Sequence, residues 1–206
     1  MFKKLFSLLP PFLRDGLRQI QWKKDLKKWE SLGKPLPPPH IVKQLTIESY
    51  AKEHHIDIFV ETGTHRGTTL ERQRRNFKKL YSIELDKKLY ESASKRFKRY
   101  SHVQVLQGDS NVKLKEIVES LSEKALFWLD AHYSGIGTAR GVLDCPIYRE
   151  LKAIFESRQK HVILIDDARL FIGKDDYPTV QELRAFVDQY DESTQMIVEH
   201  DIIRLF

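Results

Sequence analysis

Cysteine is nearly absent from this 206-residue chain, which contains only Cys145. A single cysteine excludes an intramolecular disulfide framework and favours a reducing compartment. Long hydrophobic runs are absent too, since none approaches the ~20 residues that span a bilayer. Near the N-terminus, Pro10-Pro11 limit the apolar segment to about five residues, which is shorter than a secretory signal requires. These absences predict a cytoplasmic protein.

The charge of the chain is unevenly distributed. Residues 1–53 contain 11 Lys and Arg against 5 Asp and Glu, whereas the rest of the chain contains 24 of each. The net charge of +6 therefore belongs to the N-terminal part, and the remaining body is neutral. Because proteins that bind nucleic acid carry a basic surface beside the site, the neutral body gives no strong nucleic-acid signal.

Residues 1–54 are predicted to form a basic helical extension. Apolar residues recur there at helical spacing between lysines, and the proline-rich residues 33–39 predict a stiff linker between two helices. We expect these helices to cap the main domain, residues 55–206. Contact of residues 1–31 with an anionic membrane surface or a protein partner is the alternative. A homo-oligomer stays open.

Beyond residue 55, short apolar segments alternate with amphipathic ones. The predicted strands are 56–61, 80–84, 103–107, 126–130 and 162–166, and the predicted helices are 68–77, 87–97, 112–121, 146–155 and 179–190. Such alternation predicts a mostly parallel sheet with helices on both faces. The last two strands, 196–198 and 202–206, are so close in sequence that they must form an antiparallel hairpin. We therefore predict a three-layer α/β/α protein with a seven-stranded sheet.

A glycine turn follows the first predicted strand. The strand ends at Glu61, and Gly63 and Gly67 frame the turn that leads into the next helix. Glycine allows the backbone to approach a ligand closely. A phosphate prefers N–H groups and cations, so a carboxylate here favours a ligand with ammonium or hydroxyl donors. The turn thus points to the methionine or ribose part of S-adenosylmethionine.

The other predicted strands also end in polar or acidic residues. These residues are Glu84, Asp109 with Ser110, Asp130, and the pair Asp166-Asp167. In a parallel sheet the carboxyl ends of the strands lie along one edge, where ligands bind. A single acid of this kind often only caps a helix or faces solvent, but five successive strand ends predict a binding site.

In this order the segments resemble the class I S-adenosylmethionine-dependent methyltransferases, over about residues 56–206. The Glu61-x-Gly63-x-x-x-Gly67 turn is similar to the first motif of that family, with Thr64 inside it. His65 stands where many members have a middle glycine, a departure that the catechol and sugar O-methyltransferase branches tolerate. The resemblance implies a Rossmann-like methyltransferase fold and S-adenosylmethionine as the cofactor.

The resemblance also implies roles for the strand-end residues. Glu61, Gly63, Thr64 and Gly67 would line the cofactor, together with Asp130. By the same similarity Glu84 would accept hydrogen bonds from the ribose hydroxyls, and Asp109 and Ser110 would hold the adenine.

A dinucleotide-binding fold is the nearest structural rival. Its ribose-binding acid also lies about 20 residues past the glycines, so the position of Glu84 does not separate the two. The glycines do separate them, because Gly63-x-x-x-Gly67 differs from G-x-G-x-x-G and Glu61 would repel a pyrophosphate.

Three carboxylates are predicted to converge beside the cofactor. Asp130 ends one strand, and Asp166 and Asp167 end the next. Clustered oxygen ligands without cysteine suit a hard cation such as Mg²⁺, and three anions without a cation would raise at least one pKa. The same residues resemble the metal ligands of the catechol-type and antibiotic-sugar O-methyltransferases. The alternative is a site without metal, in which Asp130 lines the cofactor pocket and Asp166 caps a loop.

His132 is the candidate catalytic base, because a histidine titrates near neutrality and follows Asp130 by two residues. A surface histidine is the alternative. Residues 133–141 are glycine-rich and suit a lid over the substrate, with Tyr133 and Arg140 as candidate substrate contacts. Arg169 either faces the substrate or forms a salt bridge.

The sequence therefore predicts an S-adenosylmethionine-dependent O-methyltransferase of a small hydroxylated molecule, such as a sugar or phenol, assisted by a divalent cation. A metal-free methyltransferase acting on a protein or RNA is one alternative. The other is a non-catalytic module that binds the cofactor or a membrane.

Overall fold

A seven-stranded sheet forms the centre of the computed structural model, which describes residues 11–130 and 146–206. The strands are β1 (Ile58–Thr62), β2 (Lys79–Glu84), β3 (Val103–Gln107), β4 (Ala125–Leu129), β5 (Val162–Ile165), β6 (Met196–Glu199) and β7 (Ile202–Leu205). Their order is β3-β2-β1-β4-β5-β7-β6. The first five are parallel, and β7 is antiparallel to both β5 and β6. The predicted sheet and its C-terminal hairpin are confirmed.

Helices cover both faces of this sheet. They are α1 (Pro11–Ser31), α2 (His40–Glu53), α3 (Thr68–Gln73), α4 (Lys87–Phe97), α5 (Ser110–Ser120), α6 (Ile147–Phe155) and α7 (Val180–Asp188). Side chains of α2, α3 and α4 share one core cluster with the strands, and those of α5, α6 and α7 share the other. This is the predicted three-layer arrangement.

Strand β4 shows how the two cores are divided. All five of its residues are buried. Leu126 and Trp128 belong to the cluster under α2, whereas Phe127 and Leu129 belong to the cluster under α6. A strand buried on both faces is apolar without alternation, which is the pattern that its sequence shows.

Helix α2 is part of the core. Ile47, Tyr50 and Ala51 are buried in the cluster formed with Phe59 of β1 and Trp128 of β4. The predicted domain boundary after residue 54 stays a prediction, but α2 is packed as tightly as the helices that follow it. Within the described residues, no helix is both long enough and apolar enough to cross a membrane.

His161 is buried, although its position just before a strand predicts a solvated side chain. Its Nδ1 accepts a hydrogen bond from the backbone N–H of Ala125 at 3.0 Å, and its Nε2 lies 2.9 Å from the hydroxyl of Ser157. The prediction was wrong because this histidine ties the starts of β4 and β5 together.

Candidate active site

The turn between β1 and α3 is held against β2 by its own backbone. The N–H groups of Gly63 and Thr64 both donate to the carbonyl of Ile83, at 3.0 and 3.1 Å. Gly63 and Gly67 have φ angles of 84° and 64°, in the left-handed region that favours glycine. A Cβ on Gly67 would also lie 2.8 Å from the ring of Phe97. The spacing of the two glycines is therefore a requirement of the turn.

His65 adopts the backbone conformation of the glycine that it replaces. Its φ is 47°, and histidine is among the residues that enter the left-handed region more often than most. Its N–H donates to Oε2 of Glu84 at 2.6 Å. The departure from the family motif therefore leaves the course of the turn unchanged.

Glu61 lies at the end of β1 and is only 1% exposed. Ser82 donates a hydrogen bond of 2.6 Å to its carboxylate, and the hydroxyl of Thr64 lies 2.5 Å from that of Ser82. Burial, opposed by the Ser82 hydrogen bond and assisted by Asp130 and Glu84, raises the pKa of Glu61 to about 8. No lysine or arginine contacts Glu61 among the residues described. This buried acceptor suits a ligand that brings its own positive charge.

The ends of β2 and β3 add further acceptors to the same edge of the sheet. Glu84 is 6% exposed, and its Oε1 accepts from the N–H of Asp86 at 2.9 Å. Asp109 caps α5, and its Oδ1 accepts from the N–H and the side-chain amide of Asn111 at 2.9 and 2.8 Å. Oδ1 of Asn111 is buried and lacks a hydrogen-bond partner among the described residues. These groups fit a ligand with hydroxyl and amino donors, as S-adenosylmethionine has.

Ser110 faces an acid that the sequence analysis missed. Glu150 of α6 is 2% exposed and receives hydrogen bonds from Ser110 and Thr62. Burial, opposed by these two hydrogen bonds, raises the pKa of Glu150 to about 7. Because Glu150 lies within an amphipathic helix and not at a strand end, its sequence position resembles that of a solvated helix residue.

The three predicted metal ligands do come together. One carboxylate oxygen from each of Asp130, Asp166 and Asp167 lies within 4.8 Å of the others. Asp166 and Asp167 are both buried, at 6% exposure each. Asp167 has a φ of 55°, and its N–H donates to Oδ1 of Asp166 at 2.7 Å, so both carboxylates are fixed locally.

A lysine from α2 lies against this carboxylate cluster. The ammonium of Lys43 is 2.6 Å from the carboxylate of Asp166 and 3.0 Å from that of Asp167. Burial lowers the pKa of Lys43, but the two carboxylates outweigh burial and raise it, so the side chain is charged at neutral pH. Burial and then Asp130 raise the pKa of Asp166, against the Lys43 ammonium. The donor set is of the type that binds Mg²⁺, but Lys43 already occupies the cation position of its buried pair.

Arg169 contacts acids on its inner side. Its guanidinium donates to Oδ1 of Asp167 at 2.7 Å and forms an ion pair with Asp201, and its backbone N–H donates to Asp201 at 2.8 Å. The salt bridge allowed by the sequence is therefore present. His132, Tyr133 and Arg140 lie outside the described residues.

Comparison with known proteins identifies the fold. No family model matches the sequence, and no curated protein matches it. Among solved structures, the O-methyltransferase TomG of Streptomyces achromogenes, in complex with SAM, is similar at 16% identity, with a TM-score of 0.57 over 89% of this chain and 87% of that one. A Bacillus cereus O-methyltransferase in complex with SAH has 15% identity and a TM-score of 0.57, over 89% of each chain. A SAH-bound methyltransferase of Podospora anserina has 16% identity and a TM-score of 0.56, over 96% and 97% of the two chains.

At these identities the comparison concerns the fold, and it agrees with the strand order and the C-terminal hairpin described above. The chain has the Rossmann-like fold of the class I methyltransferases, as its motifs predicted.

Proposed function

We propose that this protein is an S-adenosylmethionine-dependent methyltransferase that modifies a hydroxyl oxygen of a small acceptor, such as a sugar or a phenol. The observation that carries the proposal is the pair of buried acids, Glu61 and Glu84, at the ends of adjacent strands. Glu61 is held by Ser82 without a protein cation among the described residues, so it suits the ammonium of the cofactor's methionine part. The similar structures with bound SAM or SAH support the same cofactor.

The residues would divide the work as follows. S-adenosylmethionine, when bound, supplies an electrophilic methyl group. Glu84 would accept the ribose hydroxyls, and Asp109, Ser110 and the buried Oδ1 of Asn111 would face the adenine. Glu61, Gly63, Thr64 and Gly67 would form the floor under the methionine part.

The acceptor side of the site is proposed to lie at the carboxylate cluster. Asp130 belongs both to the cofactor edge and to this cluster. His132 would take the hydroxyl proton, and Tyr133, Arg140 and Arg169 would contact the acceptor. A cation on the cluster would orient the acceptor oxygen and stabilise its developing negative charge. That cation is either a divalent ion such as Mg²⁺ or Lys43, and the geometry that separates them is argued below.

Calorimetry with S-adenosylmethionine tests this proposal. We expect one binding site, and we expect Glu84→Gln to weaken binding by about tenfold to a hundredfold, the cost of losing a charged hydrogen-bond acceptor. Glu192→Gln, at an exposed position away from the strand ends, is the matched control and should bind as the wild type does. Thermal unfolding of both variants reports whether the fold is intact. A wild-type protein that binds neither S-adenosylmethionine nor its demethylated product would refute the proposal.

A further inference from the structure

Lys43 is held more rigidly than a surface lysine. It projects from α2, whose neighbouring Gln44 is fully buried. Nε2 of Gln44 donates to Thr69 at 3.1 Å, and its Oε1 accepts from Gln73 at 2.9 Å. These bonds lock α2 against α3 and fix the direction in which Lys43 leaves the helix. The Lys43 side chain is only 16% exposed.

The acids that receive Lys43 are equally fixed. The side chains of Asp166 and Asp167 are 3% and 9% exposed. Asp166 is bound to the N–H of Asp167, and Arg169 holds Asp167 from the other side. The ammonium therefore enters a preformed pair of acceptors, at 2.6 and 3.0 Å.

A divalent cation on this cluster would need the same place. Mg²⁺ binds carboxylate oxygens at about 2.1 Å, so an ion shared by Asp166 and Asp167 would overlap the ammonium that now contacts both. Moving Lys43 aside would leave a positive charge next to the ion inside a largely buried site. The acids can hold Lys43 or a divalent ion, but not both at full strength.

We propose that Lys43 is the resident cation of the carboxylate cluster, and that it excludes divalent cations from the site. The exclusion does not depend on methyl transfer. A second part does rest on the proposed function: an ammonium has three N–H donors, Asp166 and Asp167 take two, and the third is directed at the acceptor oxygen. During transfer the new O–CH₃ bond forms as the S–CH₃ bond breaks and sulfur keeps its electron pair. The hydroxyl proton leaves to the base, and Lys43 stays protonated.

Manganese binding to the full chain tests the exclusion without reference to activity. The free Mn²⁺ signal in electron paramagnetic resonance would be titrated with the wild type, Lys43→Met and Lys52→Met. Lys52 lies on the same helix and is exposed, so its variant is the matched control. We expect no binding by the wild type or Lys52→Met at millimolar Mn²⁺, and one bound ion in Lys43→Met. Adding Asp166→Asn to Lys43→Met should abolish that binding.

Two further variants keep the test decisive. Lys43→Arg retains a cation and should exclude Mn²⁺ as the wild type does, whereas an arginine variant that binds like Lys43→Met would overturn the charge argument. A wild type that binds one Mn²⁺ with an affinity within about tenfold of Lys43→Met would overturn the exclusion. A folded Lys43→Met protein that binds none would also overturn it. S-adenosylmethionine calorimetry on the same samples shows separately whether the proposed function holds.

Discussion

Glu61 is a carboxylate that burial keeps without a protein cation among the described residues, and this has a measurable cost. Its pKa rises from 4.5 to about 8, so between these values the folded protein retains a proton that the unfolded chain has released. Folding stability therefore falls as the pH rises through this window, by roughly 1.4 kcal/mol for each unit of the pKa shift. A group kept at such a cost is typical of a functional site.

Glu61→Gln should remove that pH dependence. The amide has nearly the same shape and carries no charge, so we expect the variant to exceed the wild type in stability by a few kcal/mol at about pH 9. Near pH 4, where both carry a neutral group, the two should be nearly equal. Urea unfolding across this pH range measures the difference. A variant that is less stable than the wild type in alkali would mean that Glu61 is held ionised by a partner.

His161 titrates in the opposite sense. Burial, and then Lys124, lower its pKa from 6.5 to about 4, because Nδ1 already accepts the Ala125 N–H and cannot easily take a proton. The neutral ring therefore contributes stability above pH 6.5 that is lost as the pH falls towards 4.

His161→Asn should flatten the acid limb of the stability curve. We expect a loss of about 1–2 kcal/mol at neutral pH, from the imperfectly replaced hydrogen bonds, and little further loss on acidification. His55→Asn is the control, since His55 is exposed and its φ of 53° suits asparagine. Chemical unfolding at several pH values gives both curves, and an unchanged acid slope in His161→Asn would contradict the assignment.

At the scale of elements, the sequence predicts what the strands impose. Parallel strands bring their carboxyl ends to one edge, so the meeting of Asp130, Asp166 and Asp167 follows from the strand order. Helices give no comparable rule. The spacing of apolar residues in α2 predicts a helix, but it does not predict that Lys43 will reach acids more than 120 residues away in the sequence. Nor does it reveal that Glu150 of α6 points into the protein, since charged residues in helices are usually exposed.

Local conformation was the second limit on prediction. His65 looked like a departure from the glycine motif, and only its φ of 47° shows that the turn keeps its course. The position of His161 before a strand gave no sign of its hydrogen bonds to Ala125 and Ser157, because they depend on how two strands start side by side.

For the whole molecule, the basic N-terminal part is attached by two different means. Trp29, at the end of α1, is 6% exposed, donates to the carbonyl of Pro35 at 2.8 Å, and contacts the ring of His200 edge-on at 4.9 Å. Farther from the body, Leu17 and Ile20 of α1 are exposed. Helix α2 instead contributes Ile47 and its neighbours to the core. The two helices should therefore differ in their importance for folding.

Two truncated chains test this difference. Removing residues 1–39 deletes α1 and the linker, and should lower the melting temperature while leaving one cooperative transition, since the anchor lost is mainly Trp29. Removing residues 1–53 also deletes Ile47, Tyr50 and Ala51 from the core, and each fully buried large apolar side chain contributes about 1.5–3 kcal/mol. Their sum is a large part of the roughly 5–15 kcal/mol that stabilises a typical domain, so this chain should lose its near-ultraviolet circular dichroism signal. Equal melting temperatures for the two would show that α2 lies outside the cooperative core, with the boundary at residue 54 as the sequence predicts.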